Sequence, residues 1–374
     1  MRLVVAAVLL VTSLWSPAVA AEPPDVITVV SFNVLHGGPW SGFTGDGQRL
    51  ERRLEIVADE LARRRPDVIA LQEASVSRRL GNVPERLARR LGLHHVYAPA
   101  TSHVFGDGLL SRLIVGALGF HEGSAILSRF PIVGWDVHVL PRCERSVDPR
   151  ILLHARLDTP EGVLDVFSAH TSRDSCQARR VAKLVGERRN GLPSVLMGDF
   201  NSVETSAAIR ALTQEAGFID TYRRANPDAR GVTVWQRIDA PTATASRRVD
   251  YVFLVPGLDV RGRVRESRVI LDQPHPLPDG TLLWPSDHYG VLTELELGGP
   301  RRGPSLGVLL RRVRVCQLHG VAGGKREDTR VQGKPGTSGG DKHEDVGDAA
   351  GDPRRLHDGM EWGRARTDDS QAGM

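Results

Sequence analysis

Short apolar runs that end or begin at a polar residue recur along this 374-residue chain and limit the folds that it can form. Runs of β-branched and aromatic residues bounded by turn residues predict buried strands. We predict a strand over residues 27–35 ("ITVVSFNVL"), and others at "DVIALQEA", "GSAILSRFPI", "VLDVFSAHTS", "PSVLMGDFNS", "RRVDYVFLV" and "YGVLTELEL". The connections between them are helical or rich in turn residues, so the sequence predicts one domain of mixed α and β structure over residues 25–298.

In two of the segments that connect the predicted strands, the pattern of residues predicts a helix. Over residues 48–64, apolar residues recur at spacings of three and four, and Pro66 then ends the helix. The residues of this stripe are Leu50, Leu54, Val57, Ala58 and Leu61. A second helix is predicted over residues 206–216, closed by Gly217.

The first twenty residues have the pattern of a secretory signal peptide. One arginine precedes an apolar run over residues 3–15, and Ala18-Val19-Ala20 has the small-x-small spacing that a signal peptidase accepts. The run is too short to span a membrane as a helix. We therefore expect residues 1–20 to be removed and the protein to be secreted, either extracellular or periplasmic if the cell has an outer membrane, without a stable membrane span.

The cysteines fit an oxidising compartment. Cys143 and Cys176 lie in the body of the chain and Cys316 lies beyond it, so we predict a Cys143–Cys176 disulfide that leaves Cys316 unpaired. The absence of a CxxC pair from the sequence argues against a structural zinc site.

Residues 299–374 differ in composition from the rest of the chain. They are rich in Gly, Arg, Asp and Lys and contain few residues that could form a core, which predicts a disordered tail. The formal net charge of +4 permits binding to a polyanion but does not require it.

A narrow set of polar residues stands at the ends of the predicted strands. Carboxylate and amide oxygens suit a hard divalent cation such as Mg²⁺, and histidines titrate near neutral pH. Each residue alone could serve as a cap or a core polar group, but together they supply what attack of water on phosphorus requires. The set comprises Asn33, Glu73, His170, Asp199, Asn201, Asp250, Asp287 and His288.

At these residues the chain resembles the endonuclease/exonuclease/phosphatase superfamily, which includes pancreatic-type DNase, apurinic endonuclease, neutral sphingomyelinase and inositol polyphosphate 5-phosphatase. The resemblance covers residues 26–297 and rests on the ordered motifs "SFNVLHG", "IALQEA", "GSAILSRFPI", "SAHTS", "GDFNS" with "VDYVF", and "SDHYGV". It implies a DNase I-like α/β (α+β) fold, a four-layer αββα sandwich of two mostly antiparallel sheets, with the active site at one edge of the sheets.

The resemblance also implies a metal site. Glu73 would be the principal metal carboxylate, with Asn33 and Asp287 beside it. The expected cofactor is Mg²⁺, with Mn²⁺ or Ca²⁺ as alternatives.

Four residues would act at the scissile phosphate if the resemblance holds. Asn201 would donate a hydrogen bond, and Asp199 would position the nucleophile or assist the leaving group. His288 would activate or hold the attacking water and would be oriented by Asp250.

Three further residues complete the implied site. His170 would donate to a phosphate oxygen or to the leaving group, with Glu122 as its carboxylate partner. Arg150 is the candidate arginine for contact with the substrate phosphate, although an ordinary surface role stays open. DNase-like members carry a tyrosine where this chain has Phe120, which weakens the case for a DNase-type DNA contact.

Three functions follow from these observations. The first is an exported Mg²⁺-dependent phosphodiesterase that acts as a monomer, with nucleic acid as the favoured substrate. The second is a sphingomyelinase or an inositol or phosphoinositide phosphatase, for which residues 101–120 are the candidate lipid contact. The third is a binding domain without catalysis, which is disfavoured because every group that the reaction needs is present.

Overall fold

Two large β-sheets form the centre of the computed structural model, which describes residues 26–36, 47–78, 80–100, 119–143, 150–259 and 262–298. The predicted signal peptide, the predicted tail and most of the predicted lipid-contact loop lie outside the described residues. The strands are β1 (Val26–Asn33), β2 (Val68–Ser77), β3 (Gly81–Asn82), β4 (His94–Pro99), β5 (Phe120–Ser128), β6 (Ile132–Val139), β7 (Ile151–Thr159), β8 (Gly162–His170), β9 (Ser194–Asp199), β10 (Ile219–Asp220), β11 (Asp250–Val255), β12 (Arg263–Ile270), β13 (His275–Pro276), β14 (Leu282–Leu283) and β15 (Gly290–Glu296).

Each sheet is antiparallel except for one parallel pair. The first sheet has the order β12-β15-β1-β2-β5-β4, with β3 paired to β2, and the second has the order β10-β11-β9-β8-β7-β6. The parallel pairs are β1 with β2 and β8 with β9. The expectation of two mostly antiparallel sheets is confirmed.

Helices cover the outer face of each sheet. They are α1 (Leu50–Arg64), α2 (Val83–Leu91), α3 (Ser175–Arg188), α4 (Ala207–Arg210), followed by a π-helical turn (Ala211–Glu215), and α5 (Thr221–Ala225). The stripe predicted for the first helix packs with α2 against the first sheet, while α3 and α4 pack against the second sheet. Because the inner faces of the two sheets share a third core, the layers are helix, sheet, sheet and helix, as expected.

Side-chain alternation along the strands divides the apolar residues between these cores. In β9, Val195 and Met197 lie in the core between the sheets, whereas Leu196 lies in the core beneath α3. Successive side chains of a strand point to opposite faces of its sheet, so alternate residues of this strand enter different cores. Burial of each such side chain contributes about 1.5–3 kcal/mol to folding.

Among the predicted boundaries that differ from the structure, three have a clear local cause. The first strand ends at Asn33, because Leu35 has a φ of 53° and donates its N–H to the Asn33 side chain. The first helix begins at Leu50, because Gln48 and Arg49 both have a positive φ. The helix predicted over 206–216 is capped by Ser206 but continues from α4 as the π-helical turn.

The predicted disulfide is present. Cys143 and Cys176 are bonded, with their Cα atoms 6.5 Å apart. The bond connects the segment after β6 to the first turn of α3. In the described part of the chain, no helix combines the length and the hydropathy needed to cross a membrane.

We predict that replacing both Cys143 and Cys176 with serine lowers the free energy of unfolding by about 3–4 kcal/mol, because the cross-link restricts the unfolded chain over 33 residues. Urea denaturation of the double variant measures this difference, and Cys316→Ser is the control that should leave stability unchanged. Free thiols at both positions in unreduced peptides would contradict the prediction.

Candidate active site

Three neighbouring strands of the second sheet place three ionisable side chains in a row. His170 ends β8, Asp199 ends β9, and Asp250 begins β11. Because β8 and β9 are parallel and β11 is antiparallel to them, all three residues reach the same edge of the sheet. The register pairs His170 with Asp199, and Asp199 with Asp250.

The first sheet brings its own polar residues to this edge. Asn33 ends β1, its parallel neighbour β2 carries Glu73, and His288 lies two residues before β15. The register of β2 against β5 shifts between Leu71 and Ala74, so Glu73 lies at an irregularity. Such a bulge redirects a side chain.

Non-glycine residues in the left-handed region cluster at the site. Glu73 has a φ of 51°, Asn201 a φ of 49°, and Leu35, two residues after Asn33, a φ of 53°. Each costs on the order of 1–3 kcal/mol and persists only where surrounding contacts enforce it. Two of the three are residues for which the sequence predicted a function.

The amide of Asn33 joins the two sheets. Its Nδ2 donates to Glu73 Oε1 and to Asp199 Oδ2, each at 3.1 Å, and its Oδ1 accepts from the backbone N–H of Leu35. Asn33 and Asp199 are both buried. One amide therefore fixes the distance between the carboxylates that the two sheets contribute.

A buried histidine lies between two carboxylates. His288 Nδ1 donates to Asp250 Oδ2 at 2.9 Å, and His288 Nε2 is 3.7 Å from Asp199 Oδ2. The Oγ1 of Thr233 accepts from the backbone N–H of Asp250 at 3.3 Å. Asp250 is therefore hydrogen-bonded to His288, the residue that it was predicted to orient.

The charges within this group shift the pKa values of His288 and Glu73 in opposite directions. Burial disfavours the imidazolium, but the charges of Asp250 and Asp199 outweigh it and raise the pKa of His288 from 6.5 to about 10. Burial would raise the pKa of Glu73, but the charges of His170 and His36 and the hydrogen bond from Asn33 outweigh it and lower the pKa to about 2. Charged forms of both residues are therefore stable near neutral pH.

Hydrogen-bond donors gather around His170 beside these carboxylates. Arg150 Nη1 lies 2.8 Å from His170 Nδ1, and Asn201 Nδ2 lies 3.2 Å from His170 Nε2. Glu122 Oε1 is 3.8 Å from His170 Nδ1, and Asp199 Oδ2 is 3.5 Å from Nε2. The structure thus brings together all three residues that the sequence suggested for phosphate contact and the expected partner of His170.

Asp287 is also brought to this edge. Its Oδ1 lies 3.4 Å from the hydroxyl of Ser286, which donates to the backbone carbonyl of Asn33 at 2.8 Å. Burial raises the pKa of Asp287, and the negative charges of Glu73 and Asp199 add to this effect. Asp287 therefore lies in the same electric field as the other carboxylates.

The donor chemistry of the site fits a divalent cation. In the described part of the chain, ligand atoms of Asp199, Asp250 and His288 all lie within 4.8 Å of one another. Asp250 Oδ1 is buried and accepts no hydrogen bond from the described residues. This group differs from the predicted set of Asn33, Glu73 and Asp287, but the amide of Asn33 connects the two sets.

Some residues of the site were not singled out from the sequence. His36 Nε2 lies 3.5 Å from Glu73 Oε2, and Thr233 supports the segment that leads into Asp250. The motif "SFNVLHG" contains His36, but nothing in the pattern indicated that its ring would turn back to Glu73. Arg53 had a recognisable signal, because it is a charged residue within the apolar stripe of α1.

The chain belongs to the Endonuclease/Exonuclease/phosphatase family, whose family model matches residues 30–288. Members of this family are hydrolases that act on phosphoester bonds. This protein is accordingly a phosphoesterase of that superfamily.

Solved structures share the fold at low sequence identity. A family protein from Bacteroides thetaiotaomicron is 21% identical with a TM-score of 0.56, and the alignment covers 73% of this chain and 98% of that one. A family protein from Beutenbergia cavernae is 25% identical with a TM-score of 0.54, covering 73% of this chain and 72% of that one. A mannosyl-6-phosphatase from B. thetaiotaomicron is 21% identical with a TM-score of 0.54, covering 72% and 99%. A search of curated proteins found no match.

We predict that charged His288 stabilises the metal-free protein. A folded-state pKa of about 10 against 6.5 means that the contribution is complete below pH 6.5 and is lost as the pH rises towards 10. In EDTA, the melting temperature of wild-type protein should exceed that of His288→Gln, by a difference that shrinks over this range. His94→Gln, at an exposed position on β4, is the control. A difference that stays constant or grows with pH would contradict the assignment.

Proposed function

We propose that this chain is an exported, divalent-metal-dependent phosphodiesterase of nuclease type. The observation that carries the proposal is the meeting of two groups at one edge of the sheets. Glu73, Asp199 and Asp250 form an anionic group, and the donors of Arg150, His170 and Asn201 lie beside it. An anionic group can bind a cation, while the donors can bind phosphate oxygens.

The cation would be Mg²⁺, with Mn²⁺ or Ca²⁺ as alternatives. When bound, it would neutralise charge on the phosphate and lower the pKa of a water molecule. Asn33, Glu73 and Asp287 are the residues that we propose to hold it. The ionised state of Glu73 supports this proposal, because hard cations prefer carboxylate oxygens.

The remaining side chains divide the reaction between them. The raised pKa of His288 favours a role in which its N–H holds the attacking water or a phosphate oxygen rather than one in which it accepts a proton. Asp199, 3.7 Å from His288 Nε2, is then the carboxylate that orients the nucleophile and takes its proton. Asn201, His170 and Arg150 donate to the phosphate oxygens as negative charge develops.

We propose nucleic acid as the favoured substrate, because the family includes endonucleases and exonucleases and a pI of about 9.2 permits binding to a polyanion. Lipid and inositol phosphates are the alternatives, and the loop that would decide for lipid lies mostly outside the described residues. A panel of plasmid DNA, RNA, sphingomyelin and inositol phosphates, assayed with Mg²⁺, separates these substrates. If the protein binds one of these substrates but hydrolyses none of them, it is a binding domain without catalysis.

Export is supported by two independent features. The first twenty residues have the signal-peptide pattern, and the Cys143–Cys176 disulfide is typical of an oxidising compartment. Cell fractionation and N-terminal sequencing of the mature protein test this part of the proposal, since an intracellular protein that retains Met1 would refute it.

We further propose that the enzyme acts as a monomer. Light scattering measures the oligomeric state directly.

We predict that Glu73→Gln lowers kcat/KM by at least about 100-fold, because loss of one carboxylate charge removes several kcal/mol of cation-mediated stabilisation of the transition state. EDTA should abolish activity, and added Mg²⁺ should restore it. Glu85→Gln, on the exposed face of α2, is the matched control, and circular dichroism verifies folding. Full activity of Glu73→Gln, or of wild-type protein in EDTA, would refute metal dependence at this site.

We also predict that Asp250 and His288 act as one unit. His288→Ala and Asp250→Asn should each lower kcat by about 100-fold or more, which is the usual effect of removing a positioned acid or base. The double variant should be scarcely worse than either single variant, because the two side chains share one hydrogen bond at 2.9 Å. Steady-state kinetics of the four proteins measures this coupling, and fully additive losses would show that the residues act separately.

A further inference from the structure

Arg53 is a charged residue in an apolar environment. It lies on α1 within the stripe that contains Leu50, Leu54 and Val57, and its side chain is fully buried. It is among the largest fully buried side chains in the described part of the chain. Because a buried guanidinium is expensive unless its N–H groups have acceptors, its hydrogen bonds define its role.

The guanidinium donates to backbone carbonyls from three segments. Nη2 donates to Leu35 O at 2.7 Å, and Nη1 donates to Val34 O at 2.7 Å and to Pro285 O at 3.1 Å. Nε donates to Gln48 O at 2.9 Å. One side chain on a helix therefore holds the segment after β1 and the segment before His288.

Both segments carry residues of the candidate site. Val34 and Leu35 directly follow Asn33, and Pro285 is two residues before Asp287. A second cross-link joins the same segments, since the hydroxyl of Ser286 donates to Asn33 O at 2.8 Å. Arg53 and Ser286 thus tie together two segments that are about 250 residues apart in the chain.

We propose that Arg53 is a positioning residue that sets Asn33 and Glu73, on one side, at the correct distance from Asp287 and His288, on the other. The inference rests on the proposed function, because the residues that it positions are those assigned to the cation and the attacking water. Arg53 holds the two segments through their backbone carbonyls, and its positive charge partly offsets the burial that raises the pKa of Asp287.

Arginine suits this role better than lysine. Its planar guanidinium presents five N–H donors in fixed directions, so it can bond to several carbonyls at once, whereas the ammonium of lysine has three donors on a flexible stem. Arg53→Lys therefore keeps the positive charge but removes the planar group that can donate to several carbonyls at once. A misplacement of about 1 Å at a catalytic group can lower the rate by about 100-fold.

The residues that face the substrate phosphate belong to the other sheet. His170 ends β8, Asn201 follows β9 and Arg150 precedes β7, whereas the Arg53 hydrogen bonds described above go to backbone carbonyls of segments beside the first sheet. Loss of the Arg53 contacts should thus change turnover and cation affinity while leaving substrate affinity nearly unchanged. If Arg53 only stabilised the fold, its loss would not affect turnover and cation affinity more than substrate affinity.

The test compares Arg53→Lys and Ser286→Ala with Leu61→Ala, which removes a buried side chain eight residues further along the same helix. We expect Arg53→Lys to lower kcat by about 10- to 100-fold, with KM changed by less than about threefold. Calorimetric titration with Mg²⁺ in the absence of substrate should show about tenfold weaker binding. Ser286→Ala should shift the same quantities in the same direction, and it keeps the test decisive if Arg53→Lys fails to fold.

Leu61→Ala should lower the melting temperature but leave kcat, KM and Mg²⁺ affinity unchanged at temperatures where it is folded. Unchanged kcat and Mg²⁺ affinity in Arg53→Lys and Ser286→Ala would overturn the inference while leaving the proposed function intact. The inference would also be overturned if Leu61→Ala lost kcat in proportion to its stability. If wild-type protein neither hydrolyses a phosphoester nor binds Mg²⁺, the proposed function fails first, and the inference fails with it.

Discussion

The hydrogen bonds from the Asn33 amide to Glu73 and Asp199 are the interaction on which the rest of the site depends. The two carboxylates come from different sheets and repel each other when both are ionised. A shared donor between them stabilises both charges and sets their separation. Without that amide, Glu73 Oε1 and the buried Asp199 Oδ2 would each lose a donor, which costs about 1–3 kcal/mol for a buried group left unpaired.

Acidic side chains and histidines alternate around this amide. Attraction between neighbours of opposite charge offsets the cost of placing several ionisable groups close together. Glu73 lies near His36 and His170, and His288 lies between Asp199 and Asp250. These opposite neighbours favour the charged forms of Glu73 and His288, whereas burial raises the pKa of Asp250 and of Asp287. The carboxylates of this group can attract a cation, and the positively charged and donor groups beside them can attract a phosphate.

Much of the fold could be predicted from the sequence because its signals are local. The apolar runs predicted seven of the strands but not β4, β6, β7 or β12, which have six to nine residues each. The stripe beginning at Leu50 predicted the first helix to within two residues. The π-helical turn after Arg210 could not be predicted, because that segment keeps the period of an ordinary amphipathic helix. Boundaries at Leu35 and Arg49 depend on a positive φ that non-glycine residues rarely adopt.

The candidate site could be predicted only as a set of residues. Polar residues at strand ends indicated which side chains would meet, and the structure brings them to one edge of the two sheets. The particular contacts depend on which strands are neighbours and on their register. The pairing of Asp199 with Asp250 and the return of His36 to Glu73 are therefore properties of the topology.

The pairing of β1 with β15 has a consequence for how the enzyme is made. Val26 lies opposite Glu296, so the first strand of the domain remains without this neighbour until nearly all of the domain has been synthesised. Pairings between residues so distant in sequence close late and make folding slow. His288 precedes that last strand by two residues, and a growing chain that has not reached it lacks part of the site. Translation must therefore pass His288 and β15 before β1 gains this neighbour and the candidate site has all of its residues.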